Sequence, residues 1–183
     1  MTSGVPPAAG DSPVRALEPA EQLAWRTFLD ATRGLLDVLE KQLQVDADMP
    51  MTYYEVLVAL SEAPDRVLRM GELARRLRSS PSRLSHAISR LEAASLVRRE
   101  HLPADRRGAV AILTDAGAAA LAAATPGHVR AVRRHLLDRL TPDQIAQLTE
   151  ISQAIQVANP LPPVPRRRAE DREALPHPRP AST

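Results

Sequence analysis

A short stretch near the middle of the chain carries hydrogen-bonding side chains at helical spacing. Ser80 precedes Pro81, and a serine cap followed by proline at the first helical position is a strong signal for a helix start. One face of this predicted helix is apolar, whereas the opposite face has no large apolar residue. Hydroxyl, imidazole and guanidinium groups on an exposed helix face can hydrogen-bond base edges and phosphates. The candidate DNA contacts on this helix are Ser80, Ser82, Arg83, Ser85, His86, Ser89 and Arg90.

Charge is strongly segregated along the chain, although the formal net charge of the 183 residues is only +2. Residues 66–107 contain eleven arginines against four acidic residues, whereas residues 18–65 contain three basic residues against ten acidic ones. A surface that binds phosphate needs local positive charge, and here that charge coincides with the candidate contacts. The alternative, that arginine only keeps the surface soluble, explains its abundance but not its segregation.

The sequence lacks the residue patterns that catalysis or metal binding would require. The absence of cysteine excludes a disulfide framework, a thiolate zinc site and thiol redox sensing. The chain has no P-loop, GxGxxG, HExxH or GxSxG motif. Four histidines, His86, His101, His128 and His135, show no metal-ligand spacing. The sequence therefore predicts a protein that is not an enzyme and that uses no cofactor or metal.

Apolar periodicity and proline positions predict a mainly helical protein to carry these residues. Aromatic residues make up only 2% of the chain, which disfavours an all-β fold. The runs 97–102 and 109–114, separated by a loop rich in Pro, Arg and Gly, predict a β-hairpin. Two short helices, a tight turn and a hairpin form a winged helix-turn-helix. Helices are predicted over 18–43, 51–63, 70–77, 81–96, 115–140 with an interruption at 125–127, and from 142 onward.

Polar residues ahead of the apolar runs predict where several helices begin. Thr114 and Thr141 are candidate N-caps of the last two helices. Thr52 is a candidate cap of the second helix, with Glu55 three residues later completing a capping box.

Both ends of the chain are predicted to be disordered tails. Residues 1–17 and 159–183 mix proline with small or charged residues and show no apolar periodicity. Arg166, Arg167 and Arg168 could add nonspecific DNA affinity, although a solvated tail is the simpler interpretation. No stretch has the length and apolarity of a membrane span, and no secretory signal is visible, so a cytoplasmic protein without membrane contact is expected.

From about residue 20 to residue 157 the chain resembles the MarR (multiple antibiotic resistance regulator) family of transcriptional regulators. The segment DRRGAVAILTDAG, residues 105–117, is similar to the family's wing motif. The segments MGELARRL and SRLEAASLVRR are similar to its helix-turn-helix region. The resemblance implies a mainly α domain over 18–158, with a small β-hairpin wing, a DNA-reading lobe at about 66–114, and flanking dimerisation helices at about 18–43 and 115–157.

The same resemblance implies how the protein would bind double-stranded DNA. The recognition helix would enter the major groove, and Arg107 of the wing would enter the minor groove. Asp105 would hold the Arg107 guanidinium by a bidentate pair. Arg106 is adjacent and is an alternative minor-groove residue. A second alternative is that the pair of Asp105 and Arg107 only stabilises the loop.

The resemblance also implies a homodimer on an inverted-repeat operator, acting as a repressor that a small aromatic effector releases. The flanking helices carry more apolar surface than one chain can cover, which agrees with a homodimer. Trp25, Phe28, Tyr53 and Tyr54 lie on helices that would border the effector cleft, and Tyr54 is favoured because it falls out of phase with the apolar stripe of its helix. Ordinary core packing of these rings is the alternative. A winged-helix module that binds protein instead of DNA is the alternative function.

Overall fold

The computed structural model describes residues 15–102 and 105–159, and for residues 102 and 105–107 it describes the backbone alone. Most of the two predicted tails, residues 1–14 and 160–183, therefore lies outside the described residues. The chain divides into two compact units, Met1–Leu36 and Asp37–Thr183.

Six α-helices and three β-strands make up the regular structure of the described residues, which confirms the predicted class of a mainly α protein with a small β wing. Two short 3₁₀ turns, Pro64–Arg66 and Leu137–Arg139, connect neighbouring elements. In chain order the elements are α1 (Pro19–Ala47), α2 (Met51–Ser61), β1 (Val67–Arg69), α3 (Met70–Arg76), α4 (Pro81–Ala93), β2 (Val97–Leu102), β3 (Asp105–Leu113), α5 (Asp115–His135) and α6 (Pro142–Ala158).

Three helices have a hydroxyl side chain as their N-cap, as the sequence predicts. The side-chain oxygens of Ser80, Thr114 and Thr141 each accept a hydrogen bond from the backbone N–H three residues later, at 3.3, 2.9 and 3.3 Å. Each bond satisfies one of the N–H groups that a helix leaves without a partner at its start. At Thr141 the cap is reciprocal, because the Gln144 side chain accepts from the Thr141 backbone N–H at 2.9 Å.

The predicted cap of α2 is wrong. The helix begins at Met51 directly after Pro50, so Thr52 already lies inside its first turn, and no side-chain cap forms at Pro50. A carboxylate from α1 takes the role instead, since Glu40 Oε2 accepts from the Met51 backbone N–H at 3.0 Å. A negative charge is favourable at that position because a helix N-terminus carries partial positive charge.

The three strands form one antiparallel sheet in the order β1-β3-β2, with β3 in the centre. The pair β2–β3 is the predicted hairpin. Its second strand begins at Asp105, earlier than the predicted residue 109, after a register shift between His101 and Leu102. Strand β1 was not predicted; it pairs with the far end of β3, with Val67 opposite Ile112. The wing is therefore attached to the polypeptide that enters α3.

The hydrophobic core of the unit from Asp37 onward surrounds α2. Leu57 and Leu60 of this helix are fully buried. A fully buried leucine stabilises a fold by about 1.5–3 kcal/mol relative to an exposed one. The other large buried side chains of this core come from the end of α1, from β1, from α3, from the inner face of α4 and from β3, and they include Leu43, Leu68, Leu73, Leu84, Ile88, Leu91 and Leu113.

Helix α5 is continuous through Pro126, so the predicted interruption at 125–127 is wrong. Proline inside a helix removes one N–H and leaves the carbonyl four residues earlier without its partner. That carbonyl belongs to Ala122, and both Ala122 and Pro126 lie on the exposed side of the helix, where water can bond the carbonyl. The Thr125 hydroxyl also donates to the Leu121 carbonyl at 2.7 Å, within the same turn. None of the helices that the structure describes is both long and apolar enough to cross a membrane.

Candidate nucleic-acid interface

Helix α4 combines one fully buried stripe with one polar, solvent-facing side. Leu84, Ile88 and Leu91 are at most 1% exposed, so packing fixes how the helix is rotated about its axis. Because side chains three and four residues apart share a face, the opposite side is determined as well. The exposed residues on it include the predicted contacts Ser82, Arg83, His86, Ser89 and Arg90.

The turn between α3 and α4 is held by several hydrogen bonds. Arg78 adopts φ 48°, a left-handed conformation, and the next N–H, that of Ser79, donates to the Ala74 carbonyl at 2.9 Å. The Arg78 Nη2 donates to the Asn159 carbonyl at 2.9 Å. Hydroxyls of Ser80 and Ser82 lie 3.2 Å apart at the first turn of α4. These polar groups therefore sit beside a helix N-terminus, where anions bind favourably.

Both strands of the wing carry arginines. Arg98 on β2 pairs with Glu100, with Nη1 and Oε1 2.7 Å apart. The backbone of the predicted wing-tip residues Asp105, Arg106 and Arg107 belongs to β3. Their side chains lie outside the described residues, so the pair of Asp105 with Arg107 stays a prediction.

Arg99 of β2, which the sequence did not single out, contacts the flank of α4. Its Nη2 donates to the Ser85 carbonyl at 3.2 Å and lies 3.5 Å from the Ser89 hydroxyl oxygen. Its Nε lies 3.4 Å from Glu92 Oε2. Ser85, one of the predicted DNA contacts, is half-buried, unlike Ser82 and Ser89. No local pattern signals these contacts, because they join a strand to a preceding helix.

Arginine charge in this lobe is only partly neutralised. Arg76 and Arg98 have carboxylate partners on their own element, with Arg76 Nη2 and Glu72 Oε1 3.4 Å apart. Within the described part of the chain, Arg83 and Arg90 of α4 form no ion pair. Their positive charge is therefore available to an external anion, such as a phosphate group.

Two comparisons with known proteins agree on the family of this chain. A sequence model of the MarR family matches residues 47–108. The chain is also similar to Sco3205, a MarR family transcriptional regulator from Streptomyces coelicolor whose crystal structure is in complex with DNA, with 51% identity, a TM-score of 0.75, and coverage of 80% of this chain and 91% of that one. The chain belongs to the MarR family. It is a DNA-binding transcriptional regulator of the winged-helix type.

Two other solved structures have a similar fold. AbsC, a MarR family transcriptional regulator from Streptomyces coelicolor, has 43% identity and a TM-score of 0.74, over 79% of this chain and 97% of that one. Bordetella bronchiseptica BpsR, whose DNA binding is regulated by 6-hydroxynicotinic acid, has 18% identity and a TM-score of 0.65, over 73% of this chain and 98% of that one, and supports the fold alone. Among curated proteins, none matches this chain significantly.

An open cleft of about 640 Å³ lies between the start of α2 and the helix-turn-helix of this MarR family member. Tyr53 and Glu55 line it on the α2 side, and Arg78, Arg83 and His86 line it on the other. Burial raises the pKa of the Glu55 carboxyl, and the neighbouring Glu40 carboxylate raises it further. The cleft thus joins an aromatic ring, a carboxyl group that accepts a proton more readily than usual, and the guanidinium groups of Arg78 and Arg83 from the helix-turn-helix.

The prediction that Tyr54 faces a cleft is wrong. Tyr54 is 8% exposed and belongs to the hydrophobic core, where its ring packs against the tilted ring of His128 with centroids 4.6 Å apart. Its hydroxyl lies 3.4 Å from Thr125 Oγ1. The apolar side of α2 is centred differently from the predicted stripe, so Tyr53 is the tyrosine that reaches the cleft. Burial lowers the pKa of His128 in this packing.

The two remaining predicted aromatic residues lie in the unit that ends at Leu36. Trp25 is 53% exposed and Phe28 is 45% exposed, and Trp25 borders a shallow depression with Leu17, Gln22 and Arg26. Among the described residues, the structure contains no cluster of three acidic or histidine side chains placed to hold a metal ion.

Proposed function

We propose that this regulator binds an inverted-repeat operator sequence-specifically as a homodimer and represses transcription until a small aromatic effector releases it. The polar side of α4 is the observation that supports sequence-specific DNA binding most directly. Ser82, His86 and Arg90 project from a helix whose rotation is fixed by a buried leucine and isoleucine stripe. Donors held in fixed positions can read the pattern of base edges in the major groove.

Each predicted contact has a place in this proposal. The hydroxyls of Ser80 and Ser82 and the guanidinium of Arg83 contact phosphates near the start of α4, while His86 and Arg90 read bases farther along it. Ser85 and Ser89 lie on the flank toward the wing. Arg107, oriented by Asp105, enters the minor groove, with Arg106 as the alternative. Replacing the residue that enters the groove by alanine weakens operator binding by about 1–3 kcal/mol, so Arg106→Ala and Arg107→Ala identify it.

The homodimer is supported by apolar residues that the described chain leaves exposed. In α6 no residue is buried, and Ile145, Ile151 and Ile155 are 37%, 56% and 43% exposed. In the first unit, Leu23 and Trp25 of α1 are more than half exposed. Exposed apolar surface of this extent is typical of an interface. We therefore propose dimerisation helices at about 18–43 and 115–157 around the DNA-reading lobe at about 66–114.

The oligomeric state and the spacing of the half-sites test the dimer. Light scattering should give about twice the monomer mass of 19.9 kDa. A two-fold dimer places its recognition helices about 34 Å apart, which is one turn of DNA. The operator should then contain two inverted half-sites with centres about 10 base pairs apart. A monomer that binds a single half-site would contradict the proposal.

The cleft beside Tyr53 is the proposed effector site. A flat aromatic ligand there would stack on Tyr53 and contact Arg83 and His86, the same side chains that we assign to DNA. Ligand and operator would then compete for them, which explains release. Tyr53→Phe should keep most of the ligand affinity, whereas Tyr53→Ala should lose about 0.5–1.5 kcal/mol of stacking, measured by titration calorimetry. Equal affinity of the two variants would place the effector elsewhere.

Selection of bound fragments from genomic DNA, followed by fluorescence anisotropy on the selected site, tests DNA recognition directly. If about eight arginines of a dimer meet phosphates, the logarithm of the affinity should fall against the logarithm of salt concentration with a slope of about −7. A slope near zero, or no selected fragment, would favour the protein-binding alternative. A reporter gene behind the selected site then distinguishes a repressor from an activator. We propose a cytoplasmic location, with the chromosome, and no catalytic activity.

A further inference from the structure

We infer that Arg99 is a positioning residue that locks the recognition helix α4 to the wing, so that both reach their grooves in one fixed arrangement. The inference rests on the proposed function, because it concerns how α4 and the wing are presented to DNA. It assigns Arg99 an indirect role: the residue acts through α4 and does not supply a phosphate contact of its own.

The Arg99 side chain lies along two turns of α4. Ser85, Ser89 and Glu92 are spaced i, i+4 and i+7, so they form one face of the helix. Arg99 Nη2 bonds the Ser85 carbonyl at 3.2 Å and lies 3.5 Å from the Ser89 hydroxyl oxygen, while its Nε lies 3.4 Å from Glu92 Oε2. One side chain of the wing therefore holds the middle and the end of the recognition helix together.

The main chain of Arg99 adds a second link between the same two elements. Its backbone N–H donates to Glu92 Oε1 at 3.0 Å, so a single carboxylate binds both the backbone and the guanidinium of one residue. Arg99 is also the partner of Ala111 in the central strand β3. Because β2 pairs with β3, these contacts also link α4 to the strand that carries the wing-tip residues 105–107.

Partial burial distinguishes this ion pair from those on the open surface. The Arg99 side chain is 24% exposed and that of Glu92 is 33% exposed. Ion pairs on an open surface contribute little because water and salt screen them, whereas pairs shielded from water and reinforced by hydrogen bonds contribute more. Arg99 also covers the flank of α4 that holds Ser85, which leaves Ser82 and His86 on the fully exposed part of the helix.

Arg98 provides a matched control for this residue. It is the neighbour of Arg99 on β2, it carries the same charge, and successive side chains of a strand point to opposite faces. Arg98 pairs with Glu100 of its own strand at 2.7 Å. Arg98→Ala and Arg99→Ala therefore remove the same charge from adjacent positions, but only the second removes the attachment to α4.

The test measures affinity for the selected operator and for random DNA over a salt series. Arg99→Ala should weaken operator binding by about 5- to 30-fold, the range expected when one side-chain hydrogen bond and one partly exposed ion pair are lost, with little effect on random DNA. Its salt slope should equal that of the wild type, because no phosphate contact is lost. Arg98→Ala should keep the wild-type ratio of operator to random affinity. Arg99→Lys should behave as Arg99→Ala, because an ammonium group cannot span both bonding sites.

Two results would overturn the inference. A salt slope shallower by about 2, with an unchanged ratio of operator to random affinity, would show that Arg99 binds one phosphate in each protomer. If the losses of operator affinity for Glu92→Gln and Arg99→Ala add up in the double variant, the two residues do not act as one unit and the inference is wrong. A double variant that binds the operator as tightly as Arg99→Ala supports the inference.

A measurement without DNA separates this inference from the proposed function. In hydrogen exchange of the free protein, Arg99→Ala should accelerate exchange of the backbone amides in β2 and in the second half of α4, relative to Arg98→Ala. Unchanged exchange would overturn the attachment even if the wild type binds its operator. Accelerated exchange, together with a wild type that selects no DNA, would support the attachment and overturn the proposed function.

Discussion

Replacing Gly117 by alanine should destabilise this protein, although the same change inside a helix normally stabilises. Gly117 lies in the first turn of α5, where alanine is favoured over glycine by about 1 kcal/mol. A Cβ atom at this position would lie 2.1 Å from the Leu96 carbonyl oxygen and 2.8 Å from Leu113 Cδ1. Both distances are far shorter than van der Waals contact, so the neighbours would have to move.

The Leu96 carbonyl cannot move without breaking bonds. It accepts the Thr114 backbone N–H at 3.2 Å and the Thr114 hydroxyl at 3.0 Å. Overpacking costs about 1–3 kcal/mol, and two strained hydrogen bonds cost about 1 kcal/mol each. After subtracting the gain in helix propensity, the net loss for Gly117→Ala is about 2–4 kcal/mol.

Urea unfolding at one fixed protein concentration measures this loss. With a slope of about 2 kcal/mol per molar urea, the midpoint of Gly117→Ala should fall by about 1–2 M. Gly71→Ala is the matched control, because no atom lies within 4 Å of the Cβ position there, and its midpoint should stay the same or rise. A Gly117→Ala midpoint at or above that of the wild type would refute the close approach of α5 to the start of β2.

Three further predictions concern the core, the interface and pH. Leu57→Ala, at a fully buried position, should lower the free energy of unfolding by about 2–5 kcal/mol in the same urea assay, and a loss below 1 kcal/mol would contradict the described core. Arg83→Ala should weaken binding to all DNA sequences similarly and, for the proposed dimer, make the salt slope shallower by about 2; an unchanged slope would exclude a phosphate contact. Because burial lowers the pKa of His128 in the folded state, its contribution to stability is present above the ordinary histidine pKa of about 6.5 and is lost as pH falls below it. His128→Gln should therefore show a smaller drop in urea midpoint between pH 7.5 and pH 5.5 than the wild type, and an equal drop would contradict this origin.

Local signals explain what the sequence predicts correctly. Ser80 followed by Pro81 marks the start of the recognition helix through interactions within four residues, and the hairpin of β2 and β3 joins neighbouring segments. Strand β1 escapes prediction because it has three residues and exists through pairing with a strand about 40 residues later. The contacts of Arg99 could not be predicted either, because its partners lie on another element, the preceding helix α4.

The error at Tyr54 has a different physical origin. Helix α2 is buried on much of its circumference, with Tyr54, Val56, Leu57 and Ala59 all inside the core. A helix that is apolar nearly all round has no single stripe, so periodicity cannot decide between Tyr53 and Tyr54. The recognition helix is the opposite case, because its narrow buried stripe determines its exposed face from sequence alone.

The strand order β1-β3-β2 bears on how this protein avoids aggregation. The long strand β3 lies in the centre, paired with β2 on one side and with β1 at residues 110–112 on the other. The edges are β1, which is three residues long, and β2, which carries Arg98, Arg99 and Glu100. Short or charged edges resist strand addition by another chain. Copies of the protein crowded together on DNA should therefore stay separate and not fuse through their wings into extended sheets.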